Sequence, residues 1–177
     1  MIGLFRTRYD KPTKMTYNWF STILGIEDYS KSLVVKDDFL HRDLLEWLMR
    51  GNLAIISTHG TRRGIRDSKR RLLRLSSPNP IYTIACWSYY AVDRGLCYSR
   101  PFVFLYDDNA KSWKKDKLQR PFAKVAVVPA MTYIRTRSAI EAYNEAKRVY
   151  SKEIKKARDD EVLKWLLFDY TSLRLKT

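Results

Sequence analysis

The residues able to do covalent or acid–base chemistry are few. The chain has two histidines, His41 and His59, and two cysteines, Cys86 and Cys97. His59 follows the apolar run LAIIST and precedes Gly60; Cys86 follows IYTIA and precedes Trp87 and Ser88. An imidazole beside a thiol makes a base and a nucleophile, the minimal equipment for acyl transfer. A glycine after the histidine lets backbone N–H groups approach an oxyanion with no Cβ in the way. Arg62, Arg63 and Arg66 add positive charge nearby, which should lower a thiol pKa. Each group also has a plainer reading. A strand-end imidazole can bond a loop carbonyl, and a free cysteine is commonly a small buried apolar residue. Cys97 has no partner motif and reads as structural; His41, beside a helix start, reads as a surface or cap residue.

For the pair to meet, LAIIST (53–58) and IYTIA (81–85) must be neighbouring strands. Both are continuous apolar runs of the kind buried on both faces of a parallel sheet. The rest of the chain repeats the pattern. MIGLFRTR (1–8) reads as a first strand, and 14–24 as a helix with Met15, Trp19, Ile23 and Leu24 on one face and Gly25 as its stop. SLVV (32–35) is a short strand; Asp37 or Asp38 can cap a helix carrying Phe39, Leu40, Leu44, Leu45 and Leu48 that ends at Gly51. A basic helix is expected over 66–75, broken by SSPNP. FVFLY (102–106) and KVAVVPA (124–130) read as further strands. Ser138 and Glu141 form a capping box for a helix to about 157, and VLKWLLFDY (162–170) reads as a last helix, with Asp159, Asp160 and Glu161 as a cap or turn before it. Strands alternating with helices predict a single α/β domain over 1–177, with a mostly parallel sheet of about six strands and helices on both faces. In such sheets, sites form beyond the carboxyl ends of the strands.

Composition narrows the classes. The 177 residues suffice for one domain, and 45% apolar against 30% charged residues describes a globular chain rather than a disordered one. Two cysteines make no disulfide scaffold, and no Cys/His spacing makes a zinc site, so neither metal nor cofactor is expected. There is no G-x-G-x-x-G and no G-x-x-x-x-G-K-[ST], which removes dinucleotide binding and P-loop hydrolysis. No apolar run approaches the ~20 residues of a membrane span, and MIGLFRTRYD lacks a secretory h-region; a soluble, intracellular (cytoplasmic) protein with no membrane partner is expected.

Lys and Arg number 34 against 19 Asp and Glu, a formal charge of +15, which favours polyanionic or acidic partners. The charge is densest in THGTRRGIRDSKRRLLRL, where Arg62, Arg63, Arg66, Lys69, Arg70, Arg71 and Arg74 face one acid, Asp67. On a helix, Arg66, Lys69, Arg70 and Arg74 would share a face able to contact phosphates without reading sequence; a solvated charged face is the plainer reading. Trp87, Tyr89, Tyr90, Tyr98 and Trp113 could stack on bases or simply be core, and no standard nucleic-acid motif is present. KSWKKDKLQR (111–120) reads as an exposed basic loop.

LAIISTHG followed by IYTIACWS resembles the two signature strands of the caspase-like cysteine peptidases, the clan of caspases, metacaspases, gingipains and CHAT domains, in which one apolar strand ends in His-Gly and the next in Ala-Cys. VVKDDFLHRDLLEWLMRGNLAIISTHG is similar to the family's helix leading into the histidine strand. AVVPAMTYIRTRSAIEAYNEAKRVYSKEI is similar to the strand, loop and long helix after the cysteine in CHAT domains. The resemblance spans about residues 32–155. It implies a caspase-like three-layer sandwich and a peptide or protein substrate. It makes Cys86 the nucleophile, His59 the general base and acid, and Gly60 a backbone oxyanion donor. The sequence departs from the family's pattern in two places. Only 26 residues separate His59 from Cys86, fewer than is usual, and Ile84 stands where an acidic residue often precedes Ala-Cys. A degenerate relative is the other form of this reading. Asp107 and Asp108, after FVFLY, could receive a basic substrate side chain. The alternative class is a non-enzymatic, basic nucleic-acid-binding or structural protein, of viral or mobile-element kind, working through residues 62–74.

Overall fold

A computed structural model describes residues 1–105 and 114–177, with side chains from 118 in the second stretch. Strands β1 (Ile2–Arg6), β2 (Leu33–Asp37), β3 (Leu53–Ser57), β7 (Ile81–Ile84), β8 (Gly95–Tyr98) and β9 (Leu173–Lys176) form one six-stranded sheet in the order β2-β1-β3-β7-β8-β9. All neighbours are parallel except β9, which runs antiparallel to β8. A small antiparallel sheet, β4 (Gly60–Thr61), β5 (Gly64–Arg66) and β6 (Leu72–Leu73), lies between β3 and β7 in the chain.

The pleat sorts the apolar residues into two cores. Leu4, Ile55, Tyr82, Ile84, Leu96 and Tyr98 meet α1 (Lys11–Leu24), α4 (Lys114–Thr136), α5 (Ala139–Lys156) and α6 (Asp160–Ser172) on one face. Phe5, Ala54, Ile56, Ile81 and Cys97 face the other way, onto α3 (His41–Met49) and the small sheet's Ile65 and Leu73. A four-residue helix, α2 (Glu27–Ser30), joins α1 to β2. The chain is thus α/β with a mostly parallel sheet between two layers, as the alternation of apolar runs predicts.

Several expected elements differ. Residues 66–75 are not a helix. Buried Asp67 accepts the Arg71 N–H (2.9 Å) and the Arg71 guanidinium (2.8 Å), closing a turn between β5 and β6. From Leu72 to Ser77 exposure then alternates residue by residue, the period of a strand. KVAVVPA lies inside α4. Phe122, Val125, Ala126, Ala130 and Tyr133 are fully buried at helical spacing, and this periodicity outweighs the β-branched run and Pro129. Residues 102–105 pair with no strand; Phe102 and Phe104 pack from an irregular segment, Phe104 edge-on to Trp19 at 4.9 Å. Lys114–Arg120, expected in a loop, opens α4. Asp37 and Asp38 do not cap α3, whose N-cap is Leu40; they pair with Arg6 (2.7 Å) and Arg8 (2.9 Å). The cap expected before residue 162 is present, Asp159 accepting from Glu161 and Val162. Among the described residues no helix is long and apolar enough to cross a membrane.

Candidate active site

The carboxyl ends of β1, β3 and β7 are adjacent because the three strands are consecutive in the sheet, with Arg6 opposite Ser57 and Ser57 opposite Ile84. Hydrogen bonds continue past the last ladder pairs. The Thr7 N–H donates to Ser57 (3.2 Å), the Thr58 N–H donates to Ile84 (3.3 Å), and the hydroxyls of Thr7 and Thr58 meet at 2.9 Å. This stitching fixes the next residues in each chain: Asp10, His59 and Cys86. His59 and Cys86 line one narrow cleft of about 50 Å³, together with Pro12, Thr16 and the aromatic rings of Phe102 and Phe104.

The glycine after His59 is a steric requirement. A Cβ at Gly60 would stand 1.8 Å from the Cys86 carbonyl oxygen, so only glycine lets the two strand ends come this close. The His59 carbonyl accepts the Arg66 N–H at 2.8 Å. In an antiparallel ladder the next pair, Gly60 with Ile65, is then the non-bonded kind, and the Gly60 N–H turns away from β5. Trp87, directly after the cysteine, has φ 57°, a left-handed conformation that non-glycine residues rarely hold. Its ring carries the Arg62 guanidinium 4.5 Å from the centroid.

His59 has a partner that the motifs did not reveal. Its Nε2 lies 2.8 Å from Asp10 Oδ2. Asp10 is the N-cap of α1, accepting the Thr13 N–H and hydroxyl. Burial pushes its carboxyl up, but the Thr13 hydrogen bonds and His59 outweigh this and hold it below the usual value. With Asp10 accepting from Nε2–H, the lone pair is left on Nδ1. The sequence signal was available: D-K-P-T just beyond the first strand is an N-cap with proline in the first turn.

The thiol departs from expectation. Cys86 Sγ donates to the Phe102 carbonyl at 3.8 Å, so no hydrogen bond joins it to His59. Burial pushes its pKa up, and the Asp169 carboxyl adds to this, although nearby arginines predict the opposite. The arginine charge is directed elsewhere: Arg62 stacks on Trp87 and Arg71 binds Asp67.

Of the remaining expected site residues, Arg63 and Arg74 are exposed on the small sheet, and Lys69 is exposed in the Asp67 turn. Arg66 and Arg70 line a second cavity that opens at His59. Tyr98 is buried and bonds Tyr150, so it is core and no stacking platform. Tyr89 and Tyr90 are half-buried and exposed, packed edge-on to each other. Asp107, Asp108 and Trp113 lie outside the described residues. Cys97 is buried in β8, and the His41 N–H bonds Asp67 at the start of α3. Among the described residues no group of three His, Cys, Asp or Glu side chains could hold a metal ion.

The arrangement is a strand-end acid, imidazole and thiol on the carboxyl rim of an open α/β sheet. No family model matches the chain, and neither a curated protein nor a solved structure matches it.

Proposed function

We propose that the protein is a caspase-like, CHAT-like cysteine peptidase or a degenerate relative of one. The observation that carries this reading is the single cleft shared by His59 and Cys86 at paired strand ends, with Asp10 bound to the imidazole Nε2. Cys86 rests as a thiol. In the reaction its sulfur bonds to a peptide carbonyl carbon while His59 takes the proton. The Gly60 N–H, with that of Cys86, faces the developing oxyanion. His59 then protonates the leaving amine as the C–N bond breaks. Water, deprotonated by His59, releases the thioester as a carboxylic acid. Asp10 orients the ring and stabilises the imidazolium.

Cleavage of an unfolded protein by the wild type, Cys86→Ala and His59→Ala, with product ends mapped by mass spectrometry, tests this. Loss of cleavage in both variants is expected; cleavage undiminished in Cys86→Ala would remove the peptidase reading.

A second reading, polyanion binding, draws on the +15 charge and on exposed Arg62, Arg63, Lys69, Arg70 and Arg74. It expects binding to single- or double-stranded nucleic acid with log affinity falling steeply against log salt. No binding at low salt would end it.

A further inference from the structure

The Cys86 cleft lies at the carboxyl ends of the strands; a larger cavity, of about 640 Å³, opens at their amino ends. Ile2 begins β1, and Tyr29 and Lys31 lead into β2; the end of α4 and the residue after it bring Ile134, Arg135 and Arg137 against them. The volume lies within the roughly 300–1,000 Å³ of small-molecule sites. Part of the wall is apolar. Ile2 and Ile134 are buried, and the half-buried Tyr29 packs against the larger core.

The polar part is cationic. Arg135 and Arg137 are exposed, and among the described residues neither lies within ion-pair distance of a carboxylate, although Arg6, Arg8, Arg71 and Arg148 all have one. Glu145, whose carboxyl feels the Arg135 charge, is held at both oxygens by the Arg148 guanidinium (2.7 and 2.5 Å). Lys31 makes only a solvent-exposed pair with Glu27, of a kind worth little. Arg137 stands where glycine is the usual residue. It follows α4 in a left-handed conformation, φ 57°, and its N–H closes the helix on the Tyr133 carbonyl (2.8 Å). Closing the helix needs no side chain there, so the guanidinium answers to the cavity rather than to the turn. Asp28 shares the wall, with no ion-pair partner among the described residues; a carboxylate accepts hydrogen bonds from hydroxyls. A flat ring for Tyr29 and the isoleucines, hydroxyls for Asp28 and a phosphate for two guanidinium forks are the parts of one kind of ligand.

We propose that this amino-end cavity binds a nucleoside monophosphate, its phosphate on Arg135 and Arg137, its sugar hydroxyls on Asp28 and its base against Tyr29. The site is separate from the Cys86 cleft and does not depend on the peptidase reading. Calorimetric titration of the full chain with the four ribonucleoside monophosphates, their parent nucleosides and inorganic phosphate tests it. At least one nucleotide is expected to bind at least about tenfold tighter than its nucleoside and than inorganic phosphate. The preference should vanish in Arg135→Gln/Arg137→Gln and persist in Arg63→Gln/Arg74→Gln, which removes equal charge from the small sheet. Arg137→Gly separates binding from folding, because glycine suits the turn: nucleotide affinity should fall about tenfold while the melting temperature holds or rises. No saturable binding of any nucleotide would overturn the proposal, as would a nucleoside or inorganic phosphate binding as tightly as the nucleotide. An affinity unchanged in Arg137→Gly, or a preference that survives Arg135→Gln/Arg137→Gln, would overturn it too. So would a single-stranded oligonucleotide bound through these two arginines more tightly than any nucleotide, which marks a nucleic-acid surface.

Discussion

Cys97 sits within β8, and Cys86 sits two residues past the end of β7, the strand beside it. The first is fully buried, its Sγ turned to the Arg174 carbonyl across the β8–β9 ladder, and burial pushes its pKa up to about 12. The second reaches a cleft lined by an imidazole. The same contrast separates the carboxylates. Asp169, in α6, is wholly buried, with one oxygen accepting the Val103 N–H and the other without a partner among the described residues, and burial raises its pKa well above the usual value. Asp10, on the rim, is held below the usual value by Thr13 and His59 despite some burial. Inside the sheet, desolvation disfavours the charged forms. At the rim, where backbone N–H groups and hydroxyls are no longer consumed by the ladder, the Asp10 carboxylate finds partners, while burial still pushes the Cys86 thiol up.

The largest consequence of this contrast is expected for the cysteines themselves. At neutral pH roughly 10⁻⁵ of a thiol with a pKa of about 12 is thiolate, and Cys97 is sealed besides. Iodoacetamide should modify Cys86 at least about a hundredfold faster than Cys97, read by peptide mapping; equal rates would erase the distinction between rim and interior. Next is Gly60→Ala. The added carbon collides with the Cys86 carbonyl, so a loss of about 1–3 kcal/mol in denaturant unfolding is expected. No loss would mean the strand ends are not held that close.

A smaller effect, about 1 kcal/mol, is expected for Asp10→Ala, which removes the α1 cap. Its sign with pH is informative. The folded pKa of Asp10 is depressed, so its contribution is present above the unfolded value of about 3.9 and is lost as pH falls through the folded value. Asp10→Ala should therefore shed part of the acid limb of the stability curve. Asp169→Asn is expected to do least in acid, because the amide still accepts the Val103 N–H. Here the folded pKa is raised, so the wild type's stability is full below about 3.9 and is lost as pH rises. The variant should gain on the wild type toward alkaline pH, as followed by thermal melts. A difference that does not change with pH would show that Asp169 is not held protonated.

The architecture was largely legible because buried parallel strands and amphipathic helices write their periodicity directly. The runs at β1, β2, β3 and β7 and the helices α1, α3, α5 and α6 follow from it, and so does the meeting of His59 and Cys86 on one rim. Structure departs from the sequence pattern where composition opposes period. KVAVVPA is rich in β-branched residues but buries its side chains every third or fourth position, and the length and packing of α4 settle it as helix. The arginine-rich stretch suggested a helix by charge, while Leu73, Leu75 and Ser77 alternate as in a strand. GLCY and LRLK, now β8 and β9, are four residues each, too short to signal alone; their pairing is decided by what lies across the ladder. Asp10 was missed because its partner is 49 residues away, brought close only by the β1–β3 pairing.

Catalysis by this rim requires that the imidazole activate the thiol. The most direct measurement is the rate at which a peptide bearing a thiol-reactive carbonyl warhead modifies Cys86, across the neutral pH range, in the wild type and in His59→Gln. The wild type is expected to be modified at Cys86 alone, and the variant about a hundredfold more slowly. Equal rates in the two proteins, or modification spread evenly over Cys86 and Cys97, would contradict it.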